Sequence, residues 1–440
     1  MNYERKVIIK HSLASIVALA LFGISRFIYS VLISRKFGLE TLGVANSLIS
    51  QAFLLAMPLS FFAIALGKYS AEFLGRGEDK RIKSAATIGF FSAIFGLLLL
   101  PFNVYIALLS TLRAFQLTLR SFLYGIHRGE IYAYVTVTAF IAFLLSFAVP
   151  NPYAPYLALL GGITIVGLAY LLKNDFFARP NIREFKILLE YSSMAFLGTL
   201  AGVFLVQGPY FMSEKLGSAA VAGKVSASLS AAFLLTYLPQ VLQSAIMPLY
   251  AYKYGQNDMT YVKKLAEDTT EVLTYTIAII TFGSLIVGRE ILSYLFGFSL
   301  GDEFYIALIA IEVYISYNPS IVALSSTRYI KQSTFLAILG SILTLLSWIF
   351  LVPKMGENGT MIGLLIGYAT IFLGVALVSK KKLGVSISSY KPLLIALPLQ
   401  MSFFLSKSLL ILALILYLII TRTHLRRILK LLGNIRSDQF

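Results

Sequence analysis

The sequence predicts an all-α polytopic membrane protein. It reads as two six-helix bundles related by a pseudo-two-fold repeat, followed by a C-terminal helical hairpin, with about 14 transmembrane helices in all. Three observations lead there. First, the 440 residues are 58% hydrophobic and 13% charged, whereas soluble domains carry about 25% charged residues; no packed core could hide so much apolar surface. Second, one stretch occurs twice. Ser34-Arg35-Lys36-Phe37-Gly38 leads through Gly43 and Ser50-Gln51-Ala52-Phe53-Leu54-Leu55 to Pro58. Ser213-Glu214-Lys215-Leu216-Gly217 leads through Gly223 and Ser230-Ala231-Ala232-Phe233-Leu234-Leu235 to Pro239. The offset drifts only from 179 residues at the first glycine to 181 at the proline, too long for a solenoid unit and suited to a duplicated half. Third, basic residues collect in short segments between apolar runs.

A membrane-spanning helix needs about 20 mainly apolar residues. The first run, near 12–34, is long enough to span and lacks a small-residue cleavage site, so it reads as a retained helix rather than a signal peptide. Further spans fall near 42–66, 84–101, 104–125, 131–149 and 154–172, giving a first lobe over 1–172. A polar linker at 173–185 follows. The second lobe, 186–379, contains spans near 186–211, 219–249, 266–287, 303–326, 332–352 and 358–378. In the tail, 380–440, residues 392–421 are apolar except for Lys407, and basic clusters flank them on both sides: Lys380-Lys381-Lys382 before, and Arg422, Arg426, Arg427 and Lys430 after. Both flanks favour the cytoplasm, which requires an even number of crossings, so the tail should turn near Ser406-Lys407.

This topology places both termini inside. It puts 27 of the 37 Lys and Arg residues in cytoplasmic segments and six in outer loops, the bias of a cell-membrane protein. The net charge of +17 therefore reflects membrane orientation rather than nucleic-acid binding. There is no cysteine, and the three histidines are scattered, which excludes thiolate chemistry and a histidine metal site.

Small residues mark packing faces: Gly198 and Gly202; Gly359, Gly363 and Gly367; and Gly223, Ala227 and Ala231. Pro58, Pro239 and Pro319 fall inside spans, where each frees a carbonyl and permits a kink. They are hinge candidates, with a static kink as the other reading.

Ionisable groups inside spans are costly and commonly functional. Arg26 lies well inside the first helix. Arg113 is near the middle of the fourth, with Gln116 and Arg120 on the same face at i+3 and i+7. Lys224 is one turn into the eighth helix. These groups are expected to line a cationic, water-filled cavity. Arginine's planar fork suits phosphate, so Arg26, Arg113 and Arg120 are expected to bind a diphosphate. Snorkelling is the other reading for Arg120 and Lys224, and capping of a neighbouring broken helix for Arg26. Glu312, mid-span in the tenth helix, is either a structural partner for a buried cation or a coupling site for H+ or Na+. No phosphate-cradling GxxxxGK[ST], GxSxG or HExxH occurs, so the chain reads as a non-enzyme without a cofactor.

These features resemble the multidrug/oligosaccharidyl-lipid/polysaccharide (MOP) exporter superfamily, and within it the polysaccharide-biosynthesis flippases of the Wzx type. The residues that carry the resemblance are Ser34–Gly43 after the first helix and Lys215–Gly223 in the second half. Two further runs are Gln243-Ser244-Ala245-Ile246-Met247-Pro248 with Gly255-Gln256-Asn257-Asp258, and Ile291–Gly297. The resemblance implies translocation of a lipid-linked oligosaccharide on a polyprenyl phosphate or diphosphate through a cationic cavity. It also implies contact with membrane lipids and polysaccharide-assembly proteins. Arg26 matches an arginine of the lipid II flippase branch. The first span lacks the acidic residue typical of the drug-exporting branch, which counts against cation-coupled drug or metabolite export, although Glu312 offers such a site. A membrane-embedded glycosyltransferase or ligase would need a large outer loop bearing carboxylates. The longest outer loop, about 288–303, offers only Glu290, Asp302 and Glu303.

Overall fold

The computed structural model describes residues 2–427, with the side chains of 2–15, 194, 241–245, 248 and 251 outside the description. Much of the Gln243–Pro248 run and the end of the basic tail therefore lie outside the described residues. Ten described helices are long and apolar enough to cross a membrane. The chain divides into two compact units, 1–227 and 228–440.

The first unit opens with α1 (Asn2–Phe37), then α2 (Leu39–Leu59), α3 (Ala63–Gly75), α4 (Asp79–Ile94), α5 (Val104–Gly125), α6 (Gly129–Leu145) and α7 (Ala154–Lys173). The expected linker is non-helical from Asn174 to Asn181 and leads into α8 (Ile182–Leu216), which packs on α2, α3 and α4. The expected span 42–66 is interrupted: α2 ends one residue after Pro58, and a turn at 60–62 separates it from α3. Ser60 N–H and Ser60 Oγ both donate to the Ala56 carbonyl, at 2.9 and 2.8 Å, closing the last turn of α2.

The duplicated stretch makes the same local bond twice. Gly38 N–H donates to Ser34 O at 3.0 Å, and Gly217 N–H donates to Ser213 O at 3.1 Å, each closing a long helix before a new one starts. Gly38 sits at φ 90°, where a side chain would be strained. The next glycines of the two copies meet. A Cβ on Gly43 would fall 2.6 Å from Gly223 N and strike Ala219 O, and one on Gly223 would strike Leu39 O. α2 and the start of α9 (Ala219–Ala232) thus cross backbone to backbone, a closeness only glycine permits in lipid. By contrast, a Cβ on Gly202 would meet no atom of the described residues within 4 Å, unlike one on Gly43 or Gly223.

In the second unit a 3₁₀ turn at Phe233–Thr236 separates α9 from α10 (Tyr237–Gly255), dividing the expected span 219–249 just ahead of Pro239. Then come α11 (Met259–Phe296), α12 (Asp302–Ser326) and a long helical run, α13 (Ile330–Leu383), which is split at Gly356 (φ 56°, ψ −126°) into the two spans read from the sequence. Gly359, Gly363 and Gly367 lie against Leu351, Trp348 and Thr344, so the second arm of α13 packs closely along the first. Trp348 Nε1–H donates to Thr360 O at 2.9 Å across that contact. α12 is buried along nearly its whole length and packs against α10, α11, α13 and α14. Its Pro319 lies within a continuous helix and lines a small cleft with Pro239, Tyr250 and Asn318. The tail forms two short helices, α14 (Lys391–Gln400) and α15 (Lys407–Ile420). They meet at a turn where Ser406 Oγ accepts from Leu409 N–H at 3.2 Å.

Candidate anion-binding site

Arg26 lies in the apolar part of α1, where a charge is expensive to hold. It is half-buried. Its Nη1 donates to Gln207 Oε1 on α8 at 3.1 Å, and its Nη2 donates to Ser50 Oγ on α2 at 3.3 Å. Ser50 Oγ donates to the same Gln207 oxygen at 3.1 Å, closing a triangle of three helices. The guanidinium carbon stands 4.0 Å from the Tyr210 ring centroid, one helical turn from Gln207. Nε is buried and has no hydrogen-bond partner. Every partner of Arg26 among the described residues is neutral, so the arrangement orients the guanidinium without cancelling its charge. A guanidinium has five N–H donors, and two of them are engaged here.

The α2–α8 seam continues as a polar ladder. Ser47 Oγ donates to Glu214 Oε2 at 3.1 Å, and Gln51 Nε2 donates to Ser47 Oγ at 3.2 Å. Ser50 of the duplicated stretch therefore contacts Arg26 directly, while Ser47 extends the seam beyond it.

Arg113 on α5 is half-buried. Its Nη1 donates to Gln116 Oε1 at 2.7 Å, the contact expected from their i, i+3 spacing. Its guanidinium carbon lies 4.6 Å from the Phe53 ring and 5.5 Å from the Phe22 ring. Phe22 is one turn before Arg26 on α1, and Phe53 is one turn after Ser50 on α2. Arg26 and Arg113 therefore occupy successive turns of the same α1–α2 face. Gln116 is buried and passes the network on through Nε2–H to the Tyr132 hydroxyl of α6. Tyr132 packs against Tyr124 with ring centroids 5.9 Å apart, and the Arg120 guanidinium carbon stands 5.8 Å from the Tyr124 ring. Arg113, Gln116 and Arg120 are thus linked along α5. Lys224, half-buried one residue past Gly223, is not among the partners of Arg26.

In the second unit, Glu312 is fully buried, and the described side chains beside its carboxyl are Gln400 of α14 and Thr281 of α11.

Gln207, Ser50 and Tyr210 were not read from the sequence as site residues. Gln207 carried a usable signal, being a neutral polar residue within an apolar helix and as out of place there as Arg26. Ser50 and Tyr210 carried none, because serine and tyrosine are ordinary in membrane helices and only the tertiary contact with Arg26 singles them out.

No protein-family model matches the sequence, and no curated protein matches it. Solved structures do match over nearly the whole chain. The lipid II flippase MurJ in an inward closed conformation aligns with TM-score 0.64 at 13% identity, covering 93% of this chain and 99% of that one. An inward-facing multidrug resistance MATE family transporter of the MOP superfamily aligns with TM-score 0.66 at 14% identity, covering 85% and 99%. A MOP superfamily transporter from Pyrococcus furiosus, described as having a binding pocket of reversed polarity, aligns with TM-score 0.57 at 14% identity, covering 86% and 96%. The fold is that of the MOP transporters; at these identities the likeness is one of fold.

Proposed function

We propose that this chain translocates a polyprenyl-phosphate- or diphosphate-linked oligosaccharide across the cell membrane by alternating access, for surface polysaccharide or glycan biosynthesis. The observation that carries this reading is Arg26, a guanidinium within the apolar part of α1 that is oriented by Gln207, Ser50 and Tyr210, all neutral. A cation held in this way suits a phosphate group, which can accept parallel hydrogen bonds from the planar fork. Arg113 adds a second cation one turn away, and Gln116, Arg120 and Lys224 complete the proposed cationic lining. The neighbours reported above are a flippase and transporters, in keeping with translocation rather than catalysis. The MurJ structure is that of a lipid II flippase, so the fold is compatible with a lipid-linked cargo.

In this reading the halves are 1–172 and 186–379, related by the duplication and joined by the cytoplasmic segment 173–185. The tail, 380–440, adds two crossings to make 14, with both termini in the cytoplasm. Pro58 and Pro239, each beside a helix break, and Pro319 are the proposed hinges. Membrane lipids and polysaccharide-assembly proteins are the proposed partners, with H+ or Na+ as coupling ion and no cofactor or nucleic acid.

A second reading, cation-coupled export of drugs or metabolites, is favoured by one observation, the fully buried carboxylate of Glu312 within α12. Reconstituted vesicles separate the two. Movement of a polyprenyl-diphosphate saccharide that is lost in Arg113→Ala and kept in Glu312→Gln supports flipping. Efflux of a cationic dye that survives Arg113→Ala and is lost in Glu312→Gln, with no lipid movement, overturns it.

A further inference from the structure

The two arms of α13, before and after the break at Gly356, run side by side. A Cβ on Gly374 would strike Leu336, and one on Gly340 would strike Ile371. By the helical rise, this register brings Lys331 of the first arm level with Lys380 of the second. Five exposed cations gather at this end: Arg328 in the turn between α12 and α13, Lys331, and Lys380, Lys381 and Lys382. Tyr329 joins the two sets. Arg328 Nε donates to its hydroxyl at 3.2 Å, and the guanidinium carbon stands 5.4 Å from its ring centroid. Lys382 Nζ stands 5.8 Å from the same centroid. None of the five pairs with a carboxylate among the described residues. Arg81 and Arg427 differ, each holding two carboxylates: Glu78 and Glu184 for the first, Asp268 and Glu271 for the second.

Like charges drawn to one ring repel each other, and no described carboxylate offsets them. The two terminal nitrogens of Arg328 have no partner among the described residues, which leaves a planar fork suited to a phosphate. The surface next to the cations is apolar. Phe335 lies one turn beyond Lys331 on the same face, and Leu377 and Leu373 lie one and two turns before Lys381. Phe335, Leu377 and Leu373 are 62, 64 and 61% exposed. A basic end above exposed apolar stripes matches an amphiphile with an acidic head rather than a soluble anion. We propose that Arg328, Lys331, Lys380, Lys381 and Lys382 bind the head group of an anionic phospholipid, with its acyl chains along Phe335, Leu373 and Leu377. Lysines in the last turn also complement the dipole of α13, but that role requires neither Arg328 nor a lipid. The site sharpens the membrane-lipid partner of the reading above; it rests on the chain's lying in a bilayer and not on its cargo.

The test uses the purified full chain in a neutral detergent and follows the thermal unfolding midpoint as phosphatidylglycerol is added. Phosphatidylcholine with the same acyl chains, and glycerol 3-phosphate alone, are run beside it. A ligand that binds the folded state alone raises the midpoint in a saturable way. The expected result is a rise with phosphatidylglycerol that neither of the others reproduces. In Arg328→Gln/Lys382→Gln the half-saturating phosphatidylglycerol concentration should increase by about tenfold or more. Lys380→Gln/Lys381→Gln keeps the assay decisive if the first variant does not fold. Lys354→Gln removes one charge at the far end of the first arm, ~35 Å from Lys331, and should shift half-saturation by less than about twofold. A midpoint indifferent to phosphatidylglycerol, an equal rise with phosphatidylcholine, or unchanged half-saturation in both double variants overturns the proposal. So does an equal rise with glycerol 3-phosphate, which would assign the cluster to a soluble anion. Equal weakening by Lys354→Gln and Arg328→Gln would assign the effect to net charge and overturn it too. Anionic-lipid binding without cargo movement would leave this site standing and remove the flippase reading; cargo movement with no preference for anionic lipid would do the reverse.

Discussion

Arg26 and Glu312 are both ionisable groups in apolar helices, the first half-buried and the second fully buried, and the two units surround them differently. Around Arg26 the helices supply what the guanidinium needs: an amide oxygen, a hydroxyl and an aromatic face, from α2 and α8. The charge stays, but its geometry is fixed. Around Glu312 the described neighbours, Gln400 of α14 and Thr281 of α11, are equally neutral. In the proposed reading, an oriented cation with spare donors suits an anion that arrives and leaves. A guanidinium donates only and meets an amide oxygen and a hydroxyl oxygen, whereas a carboxylate accepts only and meets the amide of Gln400 and the hydroxyl of Thr281, which can donate to it.

This contrast can be broken by substitution. The largest effect is expected for Arg26→Ala. Removing a group able to make two charge-assisted hydrogen bonds to a phosphate should reduce lipid-saccharide flipping by about a hundredfold. Glu312→Gln should leave head-group affinity within about threefold, since that side chain belongs to the other cluster. Gln207→Leu removes the acceptor shared by Arg26 and Ser50; with the fork no longer held in place, flipping should fall by about tenfold. The smallest effect is expected for Ser50→Ala. Its bond to Arg26 is long and Gln207 remains, so a loss of about threefold in the flipping rate is expected. Equal losses for Gln207→Leu and Ser50→Ala would show that the triangle acts as a unit rather than through Gln207.

Much of this architecture was legible because it depends on local chemistry. The Ser34/Gly38 and Ser213/Gly217 pairs announced two equivalent helix ends, and the structure forms the same backbone bond at each. Residues 353–357, polar between two apolar runs, marked the break that Gly356 makes in α13. Arg26 and Arg113 stood out because a charge in an apolar window is rare, and Gln116 because helical spacing places it beside Arg113. What the sequence concealed depends on which helices become neighbours. The turn at 60–62 follows Pro58 by a distance that proline alone does not set, and the Gly43–Gly223 crossing pairs residues 180 positions apart. Gln400 was hidden in a tail read only for its apolar length, although a lone glutamine in such a run carries the same signal as a lone arginine. Its importance appears only when α14 lies against α11 and α12.

The account turns on Arg26 as the ligand of an anionic head group. The most direct measurement is equilibrium binding of a polyprenyl-diphosphate saccharide to the purified chain, beside the same saccharide on a neutral lipid. The account predicts that Arg26→Ala weakens the diphosphate ligand by about a hundredfold and leaves the neutral one unchanged. Unaltered binding of the diphosphate ligand in a folded Arg26→Ala protein would contradict it.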